Sequence, residues 1–409
     1  MHYARAFDWR GIELRMEAKK NKVETALGFT NDAEGFEKLI TWISKQKRKH
    51  EKREVVVGLE PTGHYWFNLS EYLKKEKIKL VLVNPFHVKR SKELDDNLQS
   101  KTDLKDPKTI AKLVIEGRYL EPYVPEGIYA ELRTLCNFRN KLQKEIITIK
   151  NHLNRWLNIY FPEYKKVFSD ITAKSSIAVL KKTPLPCDMK ESGAEGINQI
   201  WRELKLRAVG KKKAESLYEA AEQTVGVTEG LKSARLTLTM LLTEYEIKMS
   251  NLEIIEEQII ALCRKVPAVK RIEKIKGVGI MTIASFLAEV GDVNRFESSK
   301  QIQKLAGLAL RECSSGKHKG KTTISKRGRP RLRQLLFQAS MPLVAKNDEF
   351  AQLHKYYTTR ESNPLKKKQS IIAISCKLIR ILFTMFKKEI EYDPQKLVSD
   401  IKRTNLQVA

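Results

Sequence analysis

Two long runs of apolar residues at helical spacing constrain this chain more than any other feature. Leu135, Phe138, Leu142, Ile146, Ile149, Leu153, Trp156 and Tyr160 follow steps of three and four. Leu238, Leu242, Tyr245, Met249, Leu252, Ile255, Ile259, Leu262 and Val266 do the same. Such spacing gathers the apolar side chains into one stripe per helix, which must be buried. Two near-heptad helices predict an antiparallel helical arm or a dimerising coiled coil, and two ordinary amphipathic core helices satisfy the pattern equally well. The stretch between them, 161–235, contains Pro184, Pro186 and Gly193 and no diagnostic pattern.

The flanking sections read differently. Within residues 1–125, short apolar runs at 4–9, 23–29, 55–59 and 80–83 alternate with helical patterns at 35–45 and 64–74, which predicts a layered α/β domain with some parallel pairing. From residue 269 to 409 the pattern is helical and basic, closing with a helix over 369–387. The fold class is therefore α/β plus all-α, in three sections: 1–125, a helical arm at 126–268, and a mainly helical section at 269–409. No apolar run approaches the ~18 residues of a spanning helix, and residues 1–10 hold no apolar signal-peptide core. These readings predict a cytoplasmic chain with no membrane partner. The five cysteines (Cys136, Cys187, Cys263, Cys313, Cys376) are far apart and form no CxxC pair, which argues against a disulfide framework or structural zinc. The chain carries 77 Lys and Arg against 49 Asp and Glu, a formal charge of +28. An excess of that size points to a polyanionic partner, usually nucleic acid.

In so basic a chain the acids at strand ends are conspicuous. Glu60 follows the apolar run 55–59 directly and precedes Pro61-Thr62-Gly63, at the strand edge where α/β sheets bind ligands. A solvated turn residue is the competing account. Asp103 and Asp106 precede a helical run that includes Ile110, Leu113 and Val114. Asp106 before Pro107 reads as a helix cap, yet a separation of three places both carboxylates on one helix face. With Glu60 they would suit Mg²⁺, which takes carboxylates, waters and substrate phosphate. Two such ions about 4 Å apart are the usual device for in-line attack at phosphorus.

The C-terminal section adds two features. Lys276-Gly277-Val278-Gly279-Ile280 separates two helical patterns, and glycines in such a turn let backbone N–H groups approach phosphate, as in helix-hairpin-helix elements. A plain helix-capping glycine is the alternative. Residues 311–333 hold nine Lys or Arg against Glu312 alone. Inside that segment stands Cys313-Ser314-Ser315-Gly316-Lys317-His318-Lys319-Gly320. A serine beside glycine, among cations that would hold the non-bridging oxygens, is placed to attack a DNA phosphate; a flexible basic loop with inert serines is the alternative. Lys317, Lys319, Lys321, Lys326, Arg327, Arg329, Arg331 and Arg333 read as phosphate contacts, alongside Lys276, Gly277 and Gly279.

Taken together these residues resemble the DEDD-type insertion-sequence transposases, relatives of Piv-type site-specific invertases, over nearly the whole chain. The N-terminal resemblance rests on Gly58-Leu59-Glu60-Pro61-Thr62-Gly63-His64-Tyr65-Trp66, Val83-Asn84-Pro85 and Lys101-Thr102-Asp103-Leu104-Lys105-Asp106. The C-terminal resemblance rests on Ile275-Lys276-Gly277-Val278-Gly279, Leu305-Ala306-Gly307-Leu308, Ser314-Ser315-Gly316 and Ser325-Lys326-Arg327-Gly328 with Leu332-Arg333. The resemblance implies a RuvC-like, ribonuclease-H-type first domain whose acidic set maps in its last three members onto Glu60, Asp103 and Asp106. It implies a Mg²⁺ site of two ions, a coiled-coil arm, and a C-terminal domain with a catalytic serine at Ser315, Ser314 being the fallback. It further implies a covalent serine–DNA link, a composite site shared by a homodimer or tetramer, and a structured guide RNA that pairs with donor and target DNA.

One departure from the pattern stands out. The family's first aspartate lies on an opening strand upstream of a segment similar to residues 2–11, so the chain is expected to lack that aspartate and its strand, as a truncated remnant or through a misassigned start, leaving two sheet edges exposed. Asp8 is the alternative donor, although it aligns ahead of a turn. A Holliday-junction-type nuclease using the acids alone, or a non-catalytic RNA- and DNA-binding protein, are the competing functional readings.

Overall fold

The helices and strands follow from where the apolar residues fall. The computed structural model describes residues 2–14, 26–61, 63–96, 106–312, 314–315, 318–320 and 322–406, in two units, Met1–Val124 and Pro125–Ala409.

In the first unit, β1 (His2–Ala4) pairs antiparallel with β2 (Leu27–Phe29). Helix α1 (Ala33–Lys49) begins where the Asp32 carboxylate accepts the Gly35 N–H at 2.8 Å and ends on Lys47, Arg48 and Lys49, charges that complement both ends of its dipole. Then come β3 (Val56–Leu59), α2 (Trp66–Lys75), β4 (Lys79–Leu82), α3 (Pro85–Asp96) and α4 (Asp106–Ile115). Strands β3 and β4 are parallel, with Val57 opposite Leu80, and a right-handed βαβ connection through α2 is the usual way to achieve that. Leu27, Phe29, Phe36, Leu39, Ile43, Leu69 and Leu73 form the core; Val83, Val88 and Leu113 form a smaller one.

The parallel pairing expected of a layered α/β domain is present between β3 and β4, but the described strands do not join into one sheet. They form two separate two-stranded sheets, β1–β2 and β3–β4. Between them runs a groove of about 980 Å³ bordered by residues of both β1 and β3, with α1 and α4 contributing the other walls. No described strand lies in that groove to join the halves, and the one further pairing of these strands among the described residues is the antiparallel bridge of Leu82 in β4 to Leu120.

The second unit is helical apart from one hairpin. Helix α5 (Gly127–Tyr160) is followed by α6 (Tyr164–Val167), α7 (Lys174–Lys182), α8 (Pro186–Glu203), α9 (Lys211–Glu222) and α10 (Leu231–Arg264). The two long helices pack on each other and are tied by Arg139–Glu256 at 2.6 Å and Lys248–Glu145 at 2.7 Å. At one end of the pair, Ile146, Ile149, Leu153 and Trp156 of α5 and Ala234, Leu238, Leu242 and Tyr245 of α10 share a core with α6 to α9. At the other end, Leu132, Cys136, Ile259 and Cys263 belong to a second core. That second core is built with α11 (Ala268–Ile272), α12 (Ile280–Val290), α13 (Ser299–Leu305), α14 (Pro330–Lys346), α15 (Asp348–Thr359), α16 (Lys367–Lys388) and α17 (Pro394–Leu406). The stretch 161–235, without diagnostic pattern in the sequence, is thus four helices around the fully buried Trp201 and Tyr164.

Helix α16 corrects the reading that no segment approaches membrane-spanning character. It is long and apolar enough to cross a membrane by length and composition. Ile374, Leu378, Ile379, Leu382 and Met385 are nevertheless buried in the second core, as a central helix of a globular unit requires.

Candidate active site

Of the three mapped acids, Glu60 and Asp106 are described and Asp103 lies outside the described residues. Glu60 stands one residue beyond β3, and Asp106 is the first residue of α4, with Pro107 after it. Both line the groove between the two sheets. Asp106 is ion-paired with Lys92 of α3, which positions its carboxylate and would compete with a bound cation. Among the described residues no three His, Cys, Asp or Glu side chains converge into a metal cluster. Two carboxylates lining one groove are the donor type that Mg²⁺ takes together with waters and substrate phosphate.

Asp8 also borders the groove, but its carboxylate is already occupied. Oδ1 accepts the backbone N–H of Arg10 at 3.0 Å and of Ile12 at 2.8 Å, and Oδ2 accepts Arg10 Nε at 3.2 Å. Burial pushes this carboxyl up, yet the bonds from Ile12 and Arg10 outweigh it and hold it below the ordinary aspartate value. An acid so engaged closes the turn between Phe7 and Glu13, which bridge each other.

The serine segment forms a nested hairpin where the sequence reading allowed a loose loop. Strand β5 (Leu310–Arg311) pairs antiparallel with β8 (Thr323–Ile324). Inside that ladder β6 (Ser314–Ser315) pairs with β7 (His318–Lys319), Ser315 opposite His318. Ser315 is therefore the last described residue of β6. Cys313, Gly316, Lys317 and Lys321 lie outside the described residues.

The base of this hairpin is clasped by two of the motifs on which the resemblance rests. Ser325 N–H donates to the Ala309 carbonyl at 2.8 Å, Lys326 N–H to Gly307 at 3.0 Å, and Arg329 N–H to Leu305 at 2.7 Å. Arg333 Nη1 donates to the carbonyls of Ala306 at 3.0 Å and Lys326 at 3.2 Å. The approach is close enough that a Cβ on Gly328 (φ 152°) would meet the Leu305 oxygen at 2.4 Å. Arg329 Nη1 donates to the Glu289 carbonyl at 2.7 Å, and Arg133 Nε to the Ala288 carbonyl at 2.9 Å, so both guanidinium groups cap the C-terminal end of α12. Arg331 donates to Asn137 Oδ1. Three of the arginines expected to contact phosphate thus hold the protein together around the hairpin. Lys326 and Arg327 remain exposed at the clasp.

The glycine turn divides into two roles. Gly277 (φ 99°) packs on α14, and a Cβ there would sit 3.2 Å from the Pro342 oxygen. Gly279 caps α12 with open space before it, and Lys276 beside it is exposed. Only the Gly279 side of the turn is free to meet an external group.

A family model described as a transposase, of the DEDD IS110 type, matches residues 15–162. A second, described as transposase IS116/IS110/IS902 family, matches residues 269–357. Together they cover more than half of the chain, and they fall on the groove acids and the serine hairpin respectively. The chain belongs to the IS110/IS116 transposase family. It is similar to the uncharacterized 44.8 kDa protein of insertion element IS116 from Streptomyces clavuligerus, 24% identical over 72% of this chain and 73% of that protein. It is similar to the pilin gene-inverting protein of Moraxella bovis, 23% identical over 89% of each chain. A shorter stretch, 30% of the chain, is 34% identical to the transposase for insertion sequence element IS1111A of Coxiella burnetii, over 33% of that protein. The chain is accordingly a DNA transposase, of a family whose DEDD acids imply a divalent metal.

Lys92 on Asp106 and Arg133 on α12 were not singled out in the sequence, and Arg329 and Arg333 were read there as phosphate contacts, not as ties within the protein. Arg329 and Arg333 were visible only as charge, and nothing local in the sequence signals that their partners are backbone carbonyls.

Proposed function

We propose that this transposase cleaves and joins DNA strands with Ser315 as nucleophile, assisted by a Mg²⁺ site built on Glu60, Asp103 and Asp106 of a RuvC-like domain. The observation that carries the reading is the nested hairpin: its inner ladder ends on Ser315, and its base is clasped by backbone bonds and Arg333. A nucleophile carried above a clasped base has less chain to order before it reaches a phosphate. The Ser315 oxygen forms a bond to a backbone phosphorus while the bond from that phosphorus to the departing deoxyribose oxygen breaks. The serine proton leaves to water and the departing oxygen gains one. Lys326 and Arg327, exposed at the clasp, would offset charge developing on the non-bridging oxygens of a phosphate drawn to this face. A bound divalent metal would supply further charge neutralisation and orient the phosphate.

Asp8 does not join the metal set, because its oxygens are taken by the turn. Guidance by a structured RNA and assembly of several copies belong to the same proposal. Leu236, Met240, Ile247 and Ile254, exposed along α10, support assembly through the arm.

The test is strand exchange between donor and target DNA with the element-end RNA and Mg²⁺. Ser315→Ala is expected to abolish exchange, and Glu60→Gln to reduce it and raise the Mg²⁺ requirement. Cleavage that survives Ser315→Ala and disappears with Glu60→Gln would favour a structure-selective nuclease instead.

A further inference from the structure

Between α8 and α9 the chain carries Arg202, Lys205, Arg207, Lys211, Lys212 and Lys213 against Glu203 alone. Arg202, Lys205, Arg207, Lys211 and Lys212 are exposed, and among the described residues none of these five has a carboxylate partner. Glu203 instead accepts Gln199 Nε2 at 3.5 Å, and Lys213 lies 4.1 Å over the Phe168 ring. This contrasts with the hairpin base, where Arg329, Arg331 and Arg333 are held by the protein itself.

The loop is also built, not slack. Leu206 N–H donates to the Trp201 carbonyl at 3.0 Å, and Lys205 has φ 51°, the bonding of a helix C-cap in which glycine is the usual residue. Ala208 (φ 61°) is left-handed too. Lysine thus stands where glycine fits with less strain. Gly210 caps α9 without a side-chain bond, so the N–H end of that twelve-residue helix adds positive potential beside Lys211 and Lys212.

We infer that the α8–α9 loop, residues 202–212, is a second DNA contact that grips backbone phosphates away from the serine hairpin. The cations are without carboxylate partners and so suit phosphate, which such groups bind irrespective of sequence. Duplex DNA is the substrate class of the family. The loop belongs to the core that begins at Ile146 on α5, whereas the hairpin belongs to the core that ends at Cys136. Ten helical residues, roughly 15 Å of rise, separate the facing ends of the two cores along α5, so a grip at the loop would lengthen the DNA footprint.

The inference rests on DNA being the substrate and not on the serine chemistry, and its test reads binding alone. Full-length protein is titrated with a random-sequence DNA duplex and with an RNA duplex over a range of salt. The variant Lys205→Gln/Arg207→Gln/Lys212→Gln is compared with Lys174→Gln/Lys182→Gln/Lys232→Gln, which removes the same charge from other exposed positions of the same core. At ~0.9 per phosphate contact, the loop variant is expected to bind all DNA duplexes more weakly, with a log K–log salt slope shallower by about two to three. The control is expected to shift the slope by less than about one. A loop variant indistinguishable from the control, or one that weakens only RNA, overturns the assignment. Circular dichroism confirms that both variants are folded.

Discussion

A methyl group at Gly328 would press on the Leu305 carbonyl oxygen at 2.4 Å, whereas one at Gly279 would meet nothing within 4 Å. Gly328→Ala is therefore expected to destabilise the second unit by about 1–3 kcal/mol and to weaken strand exchange, while Gly279→Ala stays close to the parent in denaturant unfolding. The cysteines divide in the same local way. Burial pushes the Cys136 thiol up to about 11 and Cys263 up to about 12, while Cys187 is exposed. At about pH 8 a thiol reagent is expected to modify Cys187 in the native protein and to reach Cys136 and Cys263 only after unfolding, read by peptide mass spectrometry. Asp8 supplies a pH dependence. Its folded carboxyl is held below the ordinary value of about 3.9, so its contribution is complete above that pH and fades as pH falls toward the folded value. Thermal melts should show the parent more stable than Asp8→Asn at neutral pH, with the gap closing in acid; a gap that widens in acid would contradict the turn-capping role.

At the scale of elements, the long helices were legible because their stripes persist over many turns: α5 and α10 end within two residues of the predicted runs but begin eight and seven residues before them. Their join is more than apolar. Trp156 Nε1 of α5 donates to the Ala234 carbonyl of α10 at 3.0 Å in the buried interface. Thr237 Oγ1 donates to the same carbonyl at 2.9 Å, so Trp156→Phe should cost only the one bond, about 0.5–1.5 kcal/mol, measured by urea unfolding. The four helices of 161–235 were not legible, and the reason is physical. Ser176, Ile177, Ala178, Val179 and Leu180 of α7 are buried all round, which erases a one-sided stripe, and α9 buries Ala214, Leu217 and Ala221, two of them too small to register as apolar signal. The serine hairpin escaped for another reason: four two-residue strands in a lysine-rich segment show no alternation to read. Glu60 was legible because it ends an apolar strand. Its relation to Asp106 was not, since only the packing of α4 beside β3 brings both to one groove.

For the whole molecule, the charge of +28 separates into cations that build structure and cations that face outward. Arg133, Arg329 and Arg333 brace the hairpin from within, whereas Lys326, Arg327 and the α8–α9 loop remain for phosphates. The groove between the two sheets gives the acidic half of the account its physical form, two carboxylates lining one cleft. The serine half is the more exposed to test. Protein is incubated with donor DNA, element-end RNA and Mg²⁺, quenched, and digested for mass spectrometry of nucleotide-linked peptides. The account predicts a phosphodiester-linked nucleotide on Ser315, lost in Ser315→Ala although Ser314 remains; a link on Ser314, or strand exchange undiminished in Ser315→Ala, would contradict it.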